Sequence, residues 1–207
     1  DQLERATTLI CALEIVRREH KNKWNLGELP YEIGLWVGQA ATPNKFGAVN
    51  DSNPWSARTM LSAFQNDRGK SPVPLESCPW CGTQLHQKNS FKFDNQKHPT
   101  ELKVICDNRD CEFTANKFGK LPLVVVDEEI YRKLPAFIIS TVDKLASMPW
   151  EEKIGNLFGN VDKYHNTLGF FSSTENQSGT QRLKEKLKPL DLIIQDEVLQ
   201  IPHPRLC

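Results

Sequence analysis

The sequence predicts an α/β protein that carries a small cysteine-bearing insertion. Short apolar runs typical of buried strands alternate with segments that have helical periodicity or helix-start signals, and such runs occur on both sides of a polar stretch. That stretch, residues 70–120, has no helical period and contains four of the six cysteines. We therefore expect a partial parallel sheet with flanking helices, interrupted by a small zinc-ribbon-like unit.

The segment before the insertion predicts a helix, a strand and a second helix. Residues 2–20 place apolar side chains at helical spacing between Arg and Glu residues. Residues 33–37 form a short apolar run that ends at Gly38, which favours a buried strand. Asn53-Pro54 is a helix-start signal, and a helix is expected from about Trp55 to Phe64.

The segment after the insertion returns to alternating signals. Strands are expected at residues 123–126 and 137–140, and a helix at Asp143 to Ser147. Residues 155–183 are rich in Gly, Asn, Ser and Thr and predict a long, partly mobile loop. The predicted division is residues 1–69 and 121–197 for the core, 70–120 for the insertion, and 198–207 for a tail.

The composition says more about the cellular compartment of the protein than about the class of its binding partner. Lys plus Arg and Asp plus Glu both number 26, so net charge favours neither nucleic acid nor a membrane as a partner. No run is long and apolar enough to span a bilayer, and charges interrupt the N-terminal apolar residues, unlike a signal peptide. We expect a cytoplasmic protein with no membrane partner, in which cysteines are metal ligands or thiols.

The cysteines of the insertion form two pairs at metal-ligand spacing. CPWCG separates one pair by two residues, and CDNRDC separates the other by four. Four thiolates make a closed tetrahedral site of the structural type, so the pattern predicts a structural zinc ion. The predicted ligands are Cys78, Cys81, Cys106 and Cys111, and His86 or His98 could replace one cysteine.

Basic and aromatic residues surround these cysteines and leave two interpretations open. Together they suit a nucleic-acid strand, through phosphate contacts and base stacking. Alternatively, the aromatic residues form a miniature core and the basic residues are its solvated face. The residues concerned are Lys88, Lys92, Lys97, Lys103, Arg109, Lys117 and Lys120, with Phe91, Phe93, Phe113 and Phe118.

An apolar run near the end of the chain leads into two adjacent carboxylates. LIIQDE predicts a buried strand over residues 192–195, followed by Asp196 and Glu197. A nucleotide-hydrolysing enzyme needs one carboxylate to hold magnesium and another to orient the attacking water. The alternative is a strand that only happens to end in two charges.

Five segments in order resemble one protein family. RATTLICALEIVRRE, LPYEIGLWVGQAATPN, CPWCG, VVVDEEIYRKLPAFIISTVDKLA and LKPLDLIIQDE are together similar to the helicase-like subunit of the bacterial DISARM anti-phage system, a superfamily-two helicase. The resemblance covers most of residues 5–197. It implies an ATP-dependent DNA helicase or translocase, with a zinc-binding insertion in its first RecA-like domain and other subunits of a defence complex as partners.

The resemblance also assigns roles to individual residues. Asp196 would be the magnesium-side carboxylate and Glu197 the residue that activates water. Ser140 and Thr141 would contact the DNA backbone. Gly38 and Thr42 would do so as well. The implied cofactors are structural zinc, and ATP with Mg²⁺ in the intact parent protein.

Two departures from the family pattern limit what this chain can do. The family continues its acidic box with Leu and His, whereas this chain has Val198-Leu199-Gln200. No G-x-x-x-x-G-K-[ST] motif occurs in the 207 residues, so we expect no ATP hydrolysis by this chain alone. One alternative is a non-enzymatic zinc-ribbon protein that binds nucleic acid or a protein partner. Another is an interaction module that docks onto a motor.

Overall fold

The computed structural model describes residues 2–188 and 190–195 and shows a mixed α/β fold. Two short 3-10 helices lie at Met148–Trp150 and Glu152–Phe158. The other elements, in chain order, are α1 (Gln2–Trp24), β1 (Ile33–Trp36), α2 (Ala57–Gln65), β2 (Phe91–Phe93), β3 (Leu102–Val104), β4 (Leu123–Val124), α3 (Asp127–Lys133), β5 (Phe137–Ser140), α4 (Val142–Ala146), β6 (Lys163–His165), β7 (Gly169–Phe171) and β8 (Gln181–Arg182).

A parallel three-stranded sheet forms the centre of the fold. Its strand order is β4-β1-β5, and Ile33 lies opposite Leu123 on one side and Phe137 on the other. All four residues of β1 are buried, as a strand between two parallel neighbours requires. The predicted α/β class with a parallel sheet is confirmed, and all three strands lie within their predicted ranges.

Helix α1 is joined to the segment before β1 by the buried Glu14 carboxylate as well as by apolar packing. Glu14 accepts hydrogen bonds from Arg17 Nε and Arg18 Nε, both at 2.7 Å, and from the Tyr31 backbone N–H at 2.8 Å. The last of these bonds joins the helix to the segment that leads into β1. Because Glu14 and Arg17 satisfy each other, a charged pair is tolerated among the buried residues of the helix.

The insertion packs into the core of the α/β unit. In the antiparallel β2–β3 ribbon, Phe91 and Val104 face inward. They belong to one continuous apolar cluster that also contains Ile10 and Leu35 of the α/β unit. Gln65 of α2 donates to the carbonyl of Phe91 at 3.2 Å. The insertion is therefore fixed against α1, α2 and the sheet.

Residues 155–183 differ from the predicted loop. They contain the end of a 3-10 helix and an antiparallel sheet in the order β7-β6-β8. The turn-forming residues connect short strands, and the apolar pair Phe170 and Phe171 is buried. Arg132 of α3 lies over the Phe171 ring at 3.8 Å and binds Glu175. Tertiary contacts with α3 thus order a segment whose composition favours a loop.

The strand predicted at residues 192–195 does not form in the structure, so this second prediction is wrong. Leu192, Ile193 and Ile194 are 73%, 63% and 78% exposed and have no assigned secondary structure. Parallel strands need a crossover, usually a helix, to return the chain to the same sheet edge. Here the preceding residues build the separate β6–β8 sheet instead.

None of the helices in the described part of the chain combines the length and apolar character that a bilayer span requires.

Candidate metal centre and candidate nucleic-acid edge

The four predicted cysteine ligands come together at one point. The sulfur atoms of Cys78, Cys81, Cys106 and Cys111 all lie within 4.8 Å of one another. The Cys81 and Cys106 sulfurs are 3.5 Å apart, and those of Cys78 and Cys111 are 3.9 Å apart. Neither His86 nor His98 belongs to this group, although the structure describes both residues. The all-cysteine alternative is therefore the one that the geometry supports.

Two tight turns aim the thiols at this point. In the first turn the Cys78 N–H donates to the Thr83 carbonyl at 2.7 Å, and the Gly82 N–H donates to the Cys78 carbonyl at 2.8 Å. Gly82 has φ +75°, a conformation that favours glycine. In the second turn, the Cys111 N–H donates to the Asn108 carbonyl at 2.9 Å. The local sequence thus supplies the turn chemistry that each pair needs.

The size of the cluster suits a metal ion of zinc-like dimensions. Tetrahedral bonds of about 2.3 Å from zinc to sulfur place the sulfurs about 3.8 Å apart. The two sulfur–sulfur distances quoted above bracket that value. A closed set of four thiolates leaves no position for a reacting water molecule. The cluster can therefore hold a metal ion in a structural role.

The electrostatics of the cluster favour one thiolate before any metal binds. Burial opposes ionisation of Cys81, but hydrogen bonds with Thr83 and with the neighbouring thiols outweigh it and lower its pKa to about 6. Burial raises the pKa of Cys78 to about 12. Metal binding must therefore release protons from the buried thiols, which makes metal affinity depend on pH.

Helix α1 covers one side of the cluster. The Thr8 hydroxyl donates to the carbonyl of Pro79, between the first two cysteines, at 2.8 Å. Cys11 of the same helix is fully buried; burial, with Cys111 nearby, raises its pKa to about 12. A buried neutral thiol behaves as a small apolar side chain. The cysteine cluster is thus built against the α/β unit.

The four phenylalanines of the insertion belong to the core. Phe91, Phe93 and Phe113 are at most 9% exposed, and Phe118 packs under Arg18, whose guanidinium carbon is 4.0 Å from the ring centre. Buried rings cannot stack on the bases of a bound strand. Of the two interpretations left open by composition, the structure supports the miniature core for these four phenylalanines.

Three of the four residues assigned to DNA lie at one edge of the sheet. β1 and β5 are parallel neighbours with Trp36 opposite Ser140, so Gly38 follows one strand and Thr141 the other at the same carboxyl edge. The Thr141 N–H donates to the Trp36 carbonyl at 3.4 Å. Gly38 and Thr141 are exposed and Ser140 is half-buried.

Thr42 differs from the other three. Its side chain is fully buried, and its hydroxyl has no hydrogen-bond partner among the described residues. Its backbone N–H donates to the Gly38 carbonyl at 3.3 Å and closes the turn after β1. In this arrangement Thr42 shapes the edge and does not present its hydroxyl to solvent. The predicted carboxylates Asp196 and Glu197 lie outside the described residues.

Sequence reasoning missed a polar cluster beneath this edge. Lys144 of α4 forms an ion pair with the buried Asp127 at 2.5 Å and donates to Asn44 Oδ1 at 3.0 Å. The three residues come from α3, α4 and the loop after β1. Their ion pair and hydrogen bond fix the start of α4, and so the position of Thr141. No local sequence pattern indicates contacts between residues that lie 100 positions apart.

A second buried charge cluster joins the insertion to the sheet. Lys120 Nζ lies 2.5 Å from a carboxylate oxygen of Glu32 and 2.5 Å from one of Glu101. Glu129 of α3 is buried beside them and accepts a hydrogen bond from the Leu102 N–H at 3.2 Å. Burial raises the pKa of Glu129 to about 8, so this carboxyl holds a proton at neutral pH.

Comparison with known proteins identifies a relative. No protein-family model matches the chain. The chain is 33% identical over 212 residues to the DISARM protein DrmA of Bacillus paralicheniformis. The alignment covers 98% of this chain and 18% of that protein, so the chain spans less than a fifth of the length of the relative it matches. This similarity confirms the resemblance carried by the motifs, and the chain is a homologue of one region of the DISARM protein DrmA.

Proposed function

We propose that this chain forms the central part of the first RecA-like domain of an ATP-dependent DNA helicase or translocase that acts in anti-phage defence. The observation that carries the proposal is the shared carboxyl edge of β1 and β5, where Gly38, Ser140 and Thr141 lie together. Ligands of open α/β sheets bind outside the carboxyl ends of the strands. Similarity to a DISARM protein supports the defence role.

DNA contact at this edge would use backbone and hydroxyl groups. Thr141 immediately precedes α4, and exposed hydroxyls and N–H groups at such positions are suitable donors to phosphate oxygens. The ion pair of Lys144 with Asp127 holds that turn in place. Contacts of this kind fix the register of a protein on DNA without reading its sequence.

The four cysteines would hold a structural zinc ion. Sulfur spacing, the all-thiol ligand set and the core position of the insertion support this assignment. The ion would bind the two turns to each other and to α1. Its role is positional, because no ligand position is left for substrate.

Hydrolysis would depend on residues beyond this edge. In the parent protein Asp196 would hold magnesium and Glu197 would orient the attacking water, with ATP bound by a P-loop that these 207 residues do not contain. Other subunits of a defence complex would be its partners, and the cytoplasm its compartment. The 207-residue chain alone should be inactive.

One observation favours a different class of function. Residues 192–194 are exposed and form no strand, so in this structure nothing rigid leads into the acidic pair. A non-enzymatic zinc-ribbon protein that binds nucleic acid or a protein partner would need no such strand.

DNA-stimulated ATP hydrolysis by the parent protein separates the two. Changing Ser140→Ala with Thr141→Ala should remove most of the stimulation by DNA and leave basal hydrolysis unchanged. Ser173→Ala with Thr174→Ala is the matched control, because it alters another adjacent Ser-Thr pair, in the segment after β7. Full stimulation in the Ser140/Thr141 variant, or a parent that does not hydrolyse ATP, would contradict the proposal.

A further inference from the structure

We infer that the outer face of the β2–β3 ribbon, with Lys133 of α3, is a second contact surface for the phosphodiester backbone of nucleic acid. This inference deepens the proposed function, since the polyanion it takes is the DNA of that proposal. It concerns a face of the insertion away from the four cysteines, and it assigns a role to lysines that the zinc centre does not use.

The ribbon separates apolar and basic side chains cleanly. Along β2 and β3, alternate residues are buried in the core: Phe91, Phe93, Leu102 and Val104. The residues between them, Lys92 and Lys103, point to the opposite face, and they are direct cross-strand partners. Side chains directly opposite on adjacent strands lie within about 5.5 Å at their Cβ atoms. The outer face of the ribbon therefore presents two adjacent lysines.

A cross-strand pair of like charges destabilises a ribbon unless an anion compensates it. Lys103 has Glu101 at 3.6 Å. Lys92 is exposed and forms no ion pair within the described ranges. Lys92 is therefore the member of the pair whose charge a bound polyanion would compensate.

The carboxylate nearest to these lysines is already engaged. Glu101 binds the buried Lys120 at 2.5 Å. Burial opposes ionisation of Glu101, but Lys120, Lys133 and Lys103 together outweigh it and lower its pKa. Lys133 therefore lies close to the same carboxylate. Asp94, two residues after Lys92, is a second carboxylate at this face and is engaged by the Thr100 hydroxyl at 2.7 Å. The three lysines Lys92, Lys103 and Lys133 therefore exceed the two carboxylates by one charge, which leaves this surface positive although the whole chain has no net charge.

The chemistry of the face selects a phosphate backbone. Its aromatic residues are buried, so it offers charge without base stacking. Lysines on a two-stranded ribbon can follow a nucleic-acid backbone, and such contacts are independent of sequence. An acidic peptide would need apolar or hydrogen-bonding pockets for specificity, and these three lysines line neither the cleft at Gly159 and Lys186 nor the cleft at Lys45 and Glu128.

The tip of the ribbon approaches the loop that follows β1. Lys97 and His98 line a cleft of about 460 Å³ together with Lys45. Asp51 and Glu128 also line this cleft, so it is not part of the basic face. The cleft shows where the ribbon lies: its tip is next to the loop that follows β1, and this loop continues from the proposed DNA edge.

Direct binding of a fluorescein-labelled DNA duplex and a single strand by the 207-residue chain tests the inference. The triple change Lys92→Gln, Lys103→Gln and Lys133→Gln should weaken binding by about tenfold or more at 50 mM salt, and lower the slope of log K against log salt by about 2 to 3. The triple Lys→Arg change at the same positions should retain binding.

Lys184→Gln, Lys186→Gln and Lys188→Gln form the matched control, since they remove the same charge from exposed lysines outside the ribbon. Equal loss in both triple variants would show a net-charge effect and overturn the inference, as would an unchanged salt slope or no DNA binding by the wild-type chain. Suppose that the ribbon variant keeps the wild-type slope of log K against log salt, while the parent protein with Ser140→Ala and Thr141→Ala still loses its stimulation by DNA. That result would overturn the inference about the ribbon and leave the proposed function standing.

Discussion

Lys120 and Glu32 form an ion pair of 2.5 Å although 88 positions separate them in the sequence. Lys120 is the last residue of the predicted insertion, and Glu32 immediately precedes β1. The same ammonium group binds Glu101, next to β3. One lysine thus joins the insertion to the start of the central strand, and the orientation of the ribbon depends on it.

Replacing Lys120 with Met should destabilise the protein strongly. The change removes the shared cation, which leaves the largely buried Glu32 without the cation it pairs with and Glu101 with only Lys103 at 3.6 Å. Breaking a buried ion pair by removing one partner costs about 3–5 kcal/mol. Chemical denaturation measures the loss. Lys186→Met, at an exposed site outside the ribbon, is the control and should change stability by less than about 0.5 kcal/mol. Equal stability of the two variants would contradict this role.

Glu129→Gln should change how stability depends on pH. Burial raises the pKa of Glu129 from 4.5 to about 8, with Glu32, Glu101 and Lys120 beside it. Because the folded pKa is raised, the stability it contributes is complete below about pH 4.5 and is lost as pH rises through about 8. A shift of this size corresponds to roughly 3–5 kcal/mol.

Thermal melting from pH 5 to pH 9 measures this effect. The wild type should lose stability across the range, whereas the Gln variant, which cannot ionise there, should lose less and become the more stable protein at pH 9. Glu152→Gln, at an exposed position, should follow the wild type. Parallel pH profiles for wild type and Glu129→Gln would show that Glu129 does not ionise in this window.

Purified protein should contain about one zinc per chain, bound by the four cysteines. Cys78→Ser should lower the zinc content and destabilise residues 70–120, because the cluster joins both turns. Metal analysis and hydrogen exchange measure the two effects. Cys11→Ser is the comparison, since Cys11 is buried beside the cluster without belonging to it, and its zinc content should stay near one. A fully ordered insertion without metal would contradict the assignment.

Glu197→Gln in the parent protein should preserve ATP binding and abolish most hydrolysis, because the water-activating carboxylate is lost. Asp196→Ala should instead weaken magnesium-dependent nucleotide binding. Steady-state hydrolysis and nucleotide binding with and without Mg²⁺ distinguish the two. Glu185→Gln, an exposed carboxylate of the same region, should change neither. Normal hydrolysis with Glu197→Gln would show that Glu197 does not activate the water, and that Asp196 and Glu197 are not the catalytic pair.

The strands of the central sheet were predictable because their signal is local. Residues 33–36 and 137–140 are short apolar runs whose ends are marked by Gly38 and by the Ser140-Thr141 pair. The cysteine cluster was predictable for the same reason, since spacing within each turn fixes how two thiols can approach one ion. Composition did not decide between a nucleic-acid surface and a miniature core, because burial of the phenylalanines depends on how the ribbon packs.

The sequence by itself determined the α/β class, the parallel strands, the two cysteine pairs and the relationship to a DISARM protein, since each depends on periodicity, turn chemistry or motif order. Only the tertiary structure decided which charges meet. Lys120 meets Glu32 across 88 positions, and Lys144 meets Asn44 across 100. Because the ion pair of Lys120 with Glu32 is largely buried, removing either partner would leave an uncompensated charge. The tertiary structure also decided that residues 163–182 form a small sheet and that residues 192–194 are exposed. The reason is that a strand forms only where a neighbouring strand can satisfy its backbone groups.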